Sequence, residues 1–267
     1  MSQDSIKKTM GVALGVCLIC SILVSSTAVS LSSIQENNKR IDKIKIILVT
    51  GGLYKENMDV QKEYAKSISS EIIDLPTGEV YPKEKYNNEL NVENYDLKKI
   101  AADPKYNISL TPDQDIAGIR HIPKDMLIYK VLNKGELQKY ILPVYGKGLW
   151  STMYGFLAID KDLKTVRGIS FYEHGETPGL GGEIDNPKWQ ALWNGKIAFD
   201  NNGKLLLEVI KSTVDPTNPN ANSQIDGLSG ATLTTRGVDH MVKFWLGDNG
   251  YGPFFEKLRK EGADEKI

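Results

Sequence analysis

The residues best suited to chemistry lie in Asp226-Gly227-Leu228-Ser229-Gly230-Ala231-Thr232, which runs into an apolar-periodic stretch beginning near Thr234. Small residues let another group approach the backbone closely. A helix start presents unpaired N–H groups and the positive end of the helix dipole, and both suit a phosphate. A threonine hydroxyl at that point could carry a phosphoester. The plain alternative is a glycine-containing loop that ends in a helix cap.

Two more segments carry similar chemistry. Tyr172-Glu173-His174-Gly175-Glu176-Thr177-Pro178-Gly179-Leu180-Gly181-Gly182-Glu183 follows an apolar run and is rich in glycine. Such a loop either turns the chain or sets backbone N–H groups against a planar ring. Gly179-x-Gly181 lacks the strand and helix that make a dinucleotide fingerprint. Tyr145-Gly146-Lys147-Gly148-Leu149-Trp150-Ser151 reads either as a strand-connecting turn with a core tryptophan or as a loop with Trp150 or Ser151 beside a bound ring. Glu173, His174 and Glu176 offer acid and base groups, but no second cluster accompanies them, and no catalytic residue is assigned. His121 and His240 read as surface or packing residues, and no metal is assigned.

The elements that must position these loops are legible from residue 126 onward. Met126–Leu132 and Leu137–Val144 are short, apolar and rich in strand formers, and they flank the turn Asn133-Lys134-Gly135-Glu136. Tyr154–Ile159 and Thr165–Tyr172 make a second pair around Asp160-Lys161-Asp162. Asn186 and Pro187 start a helix that places Trp189, Leu192 and Trp193 on one face, with Gly195 at its end. Ile197–Phe199 and Leu205–Ile210 bracket Asp200-Asn201-Asn202-Gly203 as a further hairpin. From Thr234 a helix places Val238, Met241, Val242 and Trp245 on one stripe and stops at Gly247. Strands followed by helices, with hairpins between, predict an α+β domain on an antiparallel sheet. Residues 53–112 are polar and read as helix plus irregular connection. Gly51-Gly52 lacks the Gly-Lys-Ser/Thr ending of a phosphate loop.

The chain has 267 residues, with 33 Lys+Arg against 34 Asp+Glu. A balanced charge argues against nucleic acid as the main partner, which would need a basic field. The two cysteines, Cys17 and Cys20, both lie in an apolar N-terminal run, so no disulfide framework is available to the rest. Their C-x-x-C spacing reads as packing, and Val16 before Cys17 argues against a lipidation site. From Thr9 to Gln35 no side chain is charged, which is long enough to span a bilayer. A cleaved signal peptide, with Ala28-Val29-Ser30 as the small-residue site, is the competing reading. Lys7 and Lys8 place the N-terminus in the cytoplasm in both cases, although Lys39, Arg40, Lys43 and Lys45 lie on the far side.

Asp226-Gly227-Leu228-Ser229-Gly230-Ala231-Thr232 resembles the Asp-Gly-x-Ser/Thr-Gly-Ala-Thr signature of proteins that carry covalent FMN. The resemblance implies a flavin transferase that joins the FMN phosphate to Thr232, with Asp226, Gly227, Ser229, Gly230 and Ala231 as the surrounding motif. Glu176-Thr177-Pro178-Gly179-Leu180-Gly181 resembles the flavin-facing loop of the same domain, which implies contacts from Glu176, Thr177, Gly179, Leu180 and Gly181. The Gly-Lys-Gly-Leu-Trp-Ser segment, which adds Trp150 and Ser151, also resembles it. The N-terminal span and Gln35-Glu36-Asn37-Asn38 with Asp42 extend the likeness along the chain. The chain as a whole resembles the C-subunit family of the sodium-translocating NADH:quinone oxidoreductase. The G subunit of the Rnf electron-transport complex shares the FMN domain but has less sequence between span and domain.

The resemblance implies an electron-carrier subunit that relays electrons between an iron–sulfur centre and another flavin. Its partners would be the other membrane subunits and a flavin transferase. It would sit in a bacterial inner membrane as a single-pass protein, its soluble domain on the periplasmic side. The expected organisation is a cytoplasmic N-terminus (1–8), a transmembrane helix (9–34), a membrane-proximal helical and irregular region (35–125) and an FMN-binding domain (126–267). A tethered protein that binds a small ligand noncovalently, or a structural subunit without cofactor, are the rivals from other classes.

Overall fold

The computed structural model describes residues 6–264; the first residues of the expected cytoplasmic N-terminus lie outside them. Helix α1 (Ile6–Thr50) has 45 residues, and its most apolar 18-residue window has a mean hydropathy of 2.3. It is therefore long and apolar enough to cross a membrane. The chain divides into two compact units, Met1–Lys43 and Ile44–Ile267. Within the second unit Ile47, Leu48 and Thr50 are buried. The helix closes at Gly51-Gly52, where Lys139 Nζ donates to the Gly51 carbonyl at 2.8 Å.

The remaining elements follow as α2 (Val60–Ser67), β1 (Ile68–Asp74), α3 (Leu97–Ala102), β2 (Asn107–Ser109), β3 (His121–Pro123), β4 (Asp125–Asn133), β5 (Glu136–Lys147), β6 (Thr152–Asp160), β7 (Val166–Glu173), α4 (Pro187–Ala191), β8 (Glu208–Val209), β9 (Gln224–Ile225), α5 (Thr232–Leu246) and α6 (Gly252–Asp264). The main sheet has the order β1-β4-β5-β6-β7, and every neighbouring pair is antiparallel. The α+β architecture and the antiparallel sheet match the sequence expectation. The β4–β5 hairpin turns at Lys134 and Gly135, both with positive φ (52° and 87°), as a tight two-residue turn requires.

Three expectations are corrected. The polar region before residue 126 supplies an edge strand of the main sheet, since β1 pairs with β4 from Ile68↔Val131 to Asp74↔Asp125. Its Ile-Ser-Ser-Glu-Ile-Ile-Asp sequence has no clean alternation and buries Ile68, Ile72 and Ile73 irregularly, so period-2 reasoning passed over it. The hairpin around residues 200–203 reduces to a single bridge, Phe199↔Leu205. Glu208–Val209 pairs instead in parallel with Gln224–Ile225. Helix α4 is one turn long, N-capped by Asn186, with Trp189 and Trp193 buried and Leu192 38% exposed.

Helix α5 packs on β5 through the predicted stripe Val238, Met241, Val242 and Trp245, all buried. Burying such side chains contributes about 1.5–3 kcal/mol each. Trp245 Nε1 donates to the Tyr145 carbonyl at 2.7 Å, and the Tyr251 hydroxyl donates to the Pro143 carbonyl at 2.7 Å. The Trp245 bond fixes the height of α5 along the strand, the Tyr251 bond anchors the turn that follows it, and the first turn of α5 falls at the end of the sheet where β5, β6 and β7 hand over to loops.

Asp125 is a weak point in this frame. It is 5% exposed, its Oδ1 has no hydrogen-bond partner, and it stands opposite Asp74. Burial, reinforced by the Asp74 charge, raises its carboxyl above the ordinary range, with Lys124 opposing. A raised native pKa means that the ionised form opposes folding. The cost is absent below the unfolded pKa, near 4, and grows as pH rises through the native value. Asp125→Asn should therefore raise Tm at pH 7 by about 2 °C. The gain should fade as the pH of a thermal-melt series drops toward about 4. A gain independent of pH would refute the electrostatic cause.

Candidate functional site

The Ser-Gly-Ala-Thr segment enters α5 through a sharp turn. Gly230 takes φ 72°, and Ala231 is the cap residue, with no side chain bonded to the first turn. The first intrahelical bond is Thr235 N–H to the Ala231 carbonyl at 2.9 Å. The N–H groups of Thr232, Leu233 and Thr234 precede it and point out of the helix end. The loop ahead of the turn is held from below. Asp226 Oδ1 accepts from Val214 N–H at 2.8 Å, and its carbonyl accepts from Trp189 Nε1 at 2.8 Å. A side chain at Gly227 would collide with the Ile210 carbonyl. Asp226 and Gly227 thus shape the loop rather than line its outer surface.

Three threonines share the first turn, and burial separates them. Thr234 and Thr235 are each 1% exposed. Thr234 Oγ1 donates to Glu176 Oε2 at 2.6 Å, and Thr235 Oγ1 accepts from Leu228 N–H at 3.0 Å. Thr232 is exposed. At about 100° per residue, Thr232 and Thr234 lie on opposite sides of the helix.

Glu176 is the junction of the three glycine-rich segments. Its carboxylate accepts from Leu149 N–H (3.1 Å), Trp150 N–H (2.9 Å) and Ser151 N–H (3.2 Å), as well as from Thr234. Burial alone would raise its pKa. The Thr234 hydroxyl and the amides of Trp150, Ser151 and Leu149 outweigh burial and hold it below the ordinary carboxylate range. Ser151 Oγ accepts from Gly175 N–H at 2.6 Å and ties the same two loops. Glu173 is engaged by Lys98 at 2.6 Å. His174 bonds Asp185 through Nε2 at 2.7 Å, and its Nδ1 accepts from Glu176 N–H at 3.1 Å, so the proton sits on Nε2. The three acid and base groups of this segment are all committed to holding the loop.

The outward face is apolar. Leu149, Trp150, Leu180 and Leu233 are 43%, 67%, 45% and 51% exposed. A Cβ on Gly230 would lie 3.1 Å from Leu180 Cδ2, so the Thr232 turn and the Glu176–Gly181 loop touch. Gly179 has φ 76° and nothing within 4 Å of a Cβ, whereas Gly181 faces inward against Thr234. Of the sequence-predicted residues, Thr177, Gly179, Leu180, Trp150, Ser229, Gly230 and Thr232 lie on the surface, while Glu176, Gly181 and Ala231 are buried beneath it. Sequence reasoning missed Leu149, Leu233 and Thr234. The Thr-x-Thr spacing at a helix start was the available signal, since it must turn one hydroxyl outward and one inward.

Residues 148–247 match the family model of the FMN-binding domain. The C subunit of the Na(+)-translocating NADH-quinone reductase of Pseudomonas aeruginosa is 44% identical over 265 residues, covering 98% of this chain and 99% of that protein. The corresponding protein of Yersinia pestis is 45% identical over 266 residues, with 98% and 96% covered. Among solved structures, Shewanella oneidensis NqrC matches with a TM-score of 0.73 and 34% identity, over 84% of this chain and 99% of that one. The C subunit from Parabacteroides distasonis matches with a TM-score of 0.64 and 26% identity, over 84% and 96%. Likeness of this depth along nearly the entire sequence, with the FMN-domain match falling on the three converging loops, means that the chain belongs to the C-subunit family of the Na(+)-translocating NADH-quinone reductase.

Proposed function

We propose that this chain carries FMN esterified through its phosphate to Thr232 and acts as the membrane-anchored electron-carrier subunit of a sodium-translocating NADH-quinone reductase. The observation that carries the proposal is the sorting of the three threonines. Thr232 is exposed at an uncapped helix start, while Thr234 and Thr235 are buried and hydrogen-bonded. The site fits the group. The free N–H groups of the first turn suit a phosphate, and Leu149, Trp150, Leu180 and Leu233 offer apolar surface to a planar ring.

Attachment requires an activated donor, a flavin dinucleotide with a pyrophosphate bond, and a transferase to present it. The Thr232 oxygen forms the new bond to the FMN-side phosphorus and the pyrophosphate bond breaks. A nucleoside monophosphate leaves, and the hydroxyl proton passes to a base of the transferase. When bound, FMN supplies electron transfer between an iron–sulfur centre in neighbouring membrane subunits and a flavin of another subunit. The chain contributes placement: α5 holds the phosphate end, and the loops at 148–151 and 174–182 hold the ring end. Helix α1 is retained as a single inner-membrane anchor, and Lys7 and Lys8 keep its start in the cytoplasm, so the domain lies on the periplasmic side.

Intact mass of the full chain, purified after coexpression with a flavin transferase, tests both parts. The expected mass is that of the whole chain plus one FMN less one water. A colourless chain of unmodified mass would sink the covalent assignment, and a chain that begins near Leu31 would sink the anchor.

A further inference from the structure

We propose that Glu176 is a positioning residue: by bonding the Thr234 hydroxyl and the Leu149, Trp150 and Ser151 amides with one carboxylate, it locks the Thr232 turn and the apolar platform into a single unit. The inference rests on Thr232 as the attachment point. It assigns Glu176 a role through other residues and not a contact with the flavin. A carboxylate has about four acceptor sites. Oε2 receives Thr234 Oγ1 at 2.6 Å and Leu149 N–H at 3.1 Å; Oε1 receives Trp150 N–H at 2.9 Å and Ser151 N–H at 3.2 Å. No acceptor site remains for a ligand.

The surroundings are shaped to this group alone. A Cβ on Gly148 would lie 2.5 Å from Oε1, and one on Gly181 would lie 2.9 Å from Oε2 and 2.5 Å from Thr234 Oγ1. Both glycines leave room for the carboxylate and for no side chain of their own. Charge-assisted bonds are the strong ones, and a buried carboxylate with all its sites filled resists displacement. Thr234 is two residues beyond Thr232 on the same rigid turn, so a shift at Thr234 is passed to the Thr232 oxygen. Reactions that depend on placement lose about 100-fold for misplacement of about 1 Å.

The test uses the full chain, a flavin transferase and its flavin dinucleotide donor, with two readouts. One is the rate of covalent flavin incorporation. The other is amide hydrogen exchange at Leu149, Trp150 and Ser151 in the unloaded chain, which a role confined to catalysis would not move. Thr234→Val, which keeps the shape and removes the hydroxyl, should slow incorporation at least about tenfold and speed exchange at these amides at least about tenfold. Thr234→Ser, which keeps the hydroxyl, should restore both to within about twofold of wild type. Thr234→Val with either readout unchanged overturns the proposal. Slow exchange at Ile141 and Leu142 of the central sheet is the folding control. If Thr234→Val fails it, Glu176→Gln, whose amide nitrogen cannot accept, carries the same two readouts with the same criteria. Failure of wild-type chain to load would refute the Thr232 reading instead, and the exchange arm would still decide the role of Glu176.

Discussion

Thr232→Ala should abolish covalent flavin while leaving the fold intact. The exposed hydroxyl has no hydrogen bond to lose among the described residues, and exposed substitutions of this kind usually change stability by within about 0.5 kcal/mol. Neighbouring threonines offer no rescue. Thr234 and Thr235 are each 1% exposed, and an attack by either hydroxyl would require breaking its bond to Glu176 or Leu228 and unwinding the turn. In-gel flavin fluorescence after denaturation and intact mass should both fall to background. Tm should stay within about 2 °C of wild type. Thr232→Ser keeps the hydroxyl and should retain covalent flavin. Covalent flavin persisting in Thr232→Ala would overturn the attachment site.

Gly237→Ala should destabilise the domain, although helix propensity alone argues the opposite. Gly237 lies inside α5, where alanine is intrinsically favoured by about 1 kcal/mol. A Cβ there would overlap the Lys147 carbonyl, with Gly148 Cα at 3.2 Å and Met153 Cε at 3.3 Å. Backbone cannot swing aside as a flexible side chain can, and overpacking of this kind costs about 1–3 kcal/mol, reaching more where backbone must move. Overlap therefore wins. The net loss should be about 2 kcal/mol, or about 4–8 °C in Tm. Because the obstacle is the end of β5, α5 must lift away from the 148–151 loop, and covalent loading should fall along with stability. A variant as stable as wild type, or more so, would show that propensity dominates and that α5 is not pressed against this loop.

Much of the site was legible because chemistry and periodicity are local. Asp226-to-Thr232 shows small residues and a hydroxyl at a helix start, and the Val238, Met241, Val242 and Trp245 stripe says which helix. Strand and turn chemistry between 126 and 172 set four of the five sheet strands, since β-formers alternate there and Lys134-Gly135 supports a tight turn. The uncharged run from Thr9 to Gln35 implied a helix long enough to span a bilayer without reference to any neighbour.

What the sequence could not decide depends on residues far apart meeting. β1 became a strand because β4 offered it a partner across the long connection between Asp74 and Asp125, and its own pattern carries no period. Glu176, read as a flavin contact, turned inward because four donors from two distant segments outweigh what water or a ring edge could give a carboxylate. The exposure of Thr232 and the burial of Thr234 and Thr235 were likewise decided by packing. Helical geometry alone puts Thr232 and Thr234 on opposite sides but leaves Thr235 within about 60° of Thr232, so only the docking of α5 on β5 and the bond from Leu228 decide which of the three are buried. Local sequence determined most of the elements and the Asp226-to-Thr232 motif; tertiary contact determined the pairing of β1 and which groups face solvent, because burial and the satisfaction of a buried charge are properties of the assembled neighbours and not of any one segment.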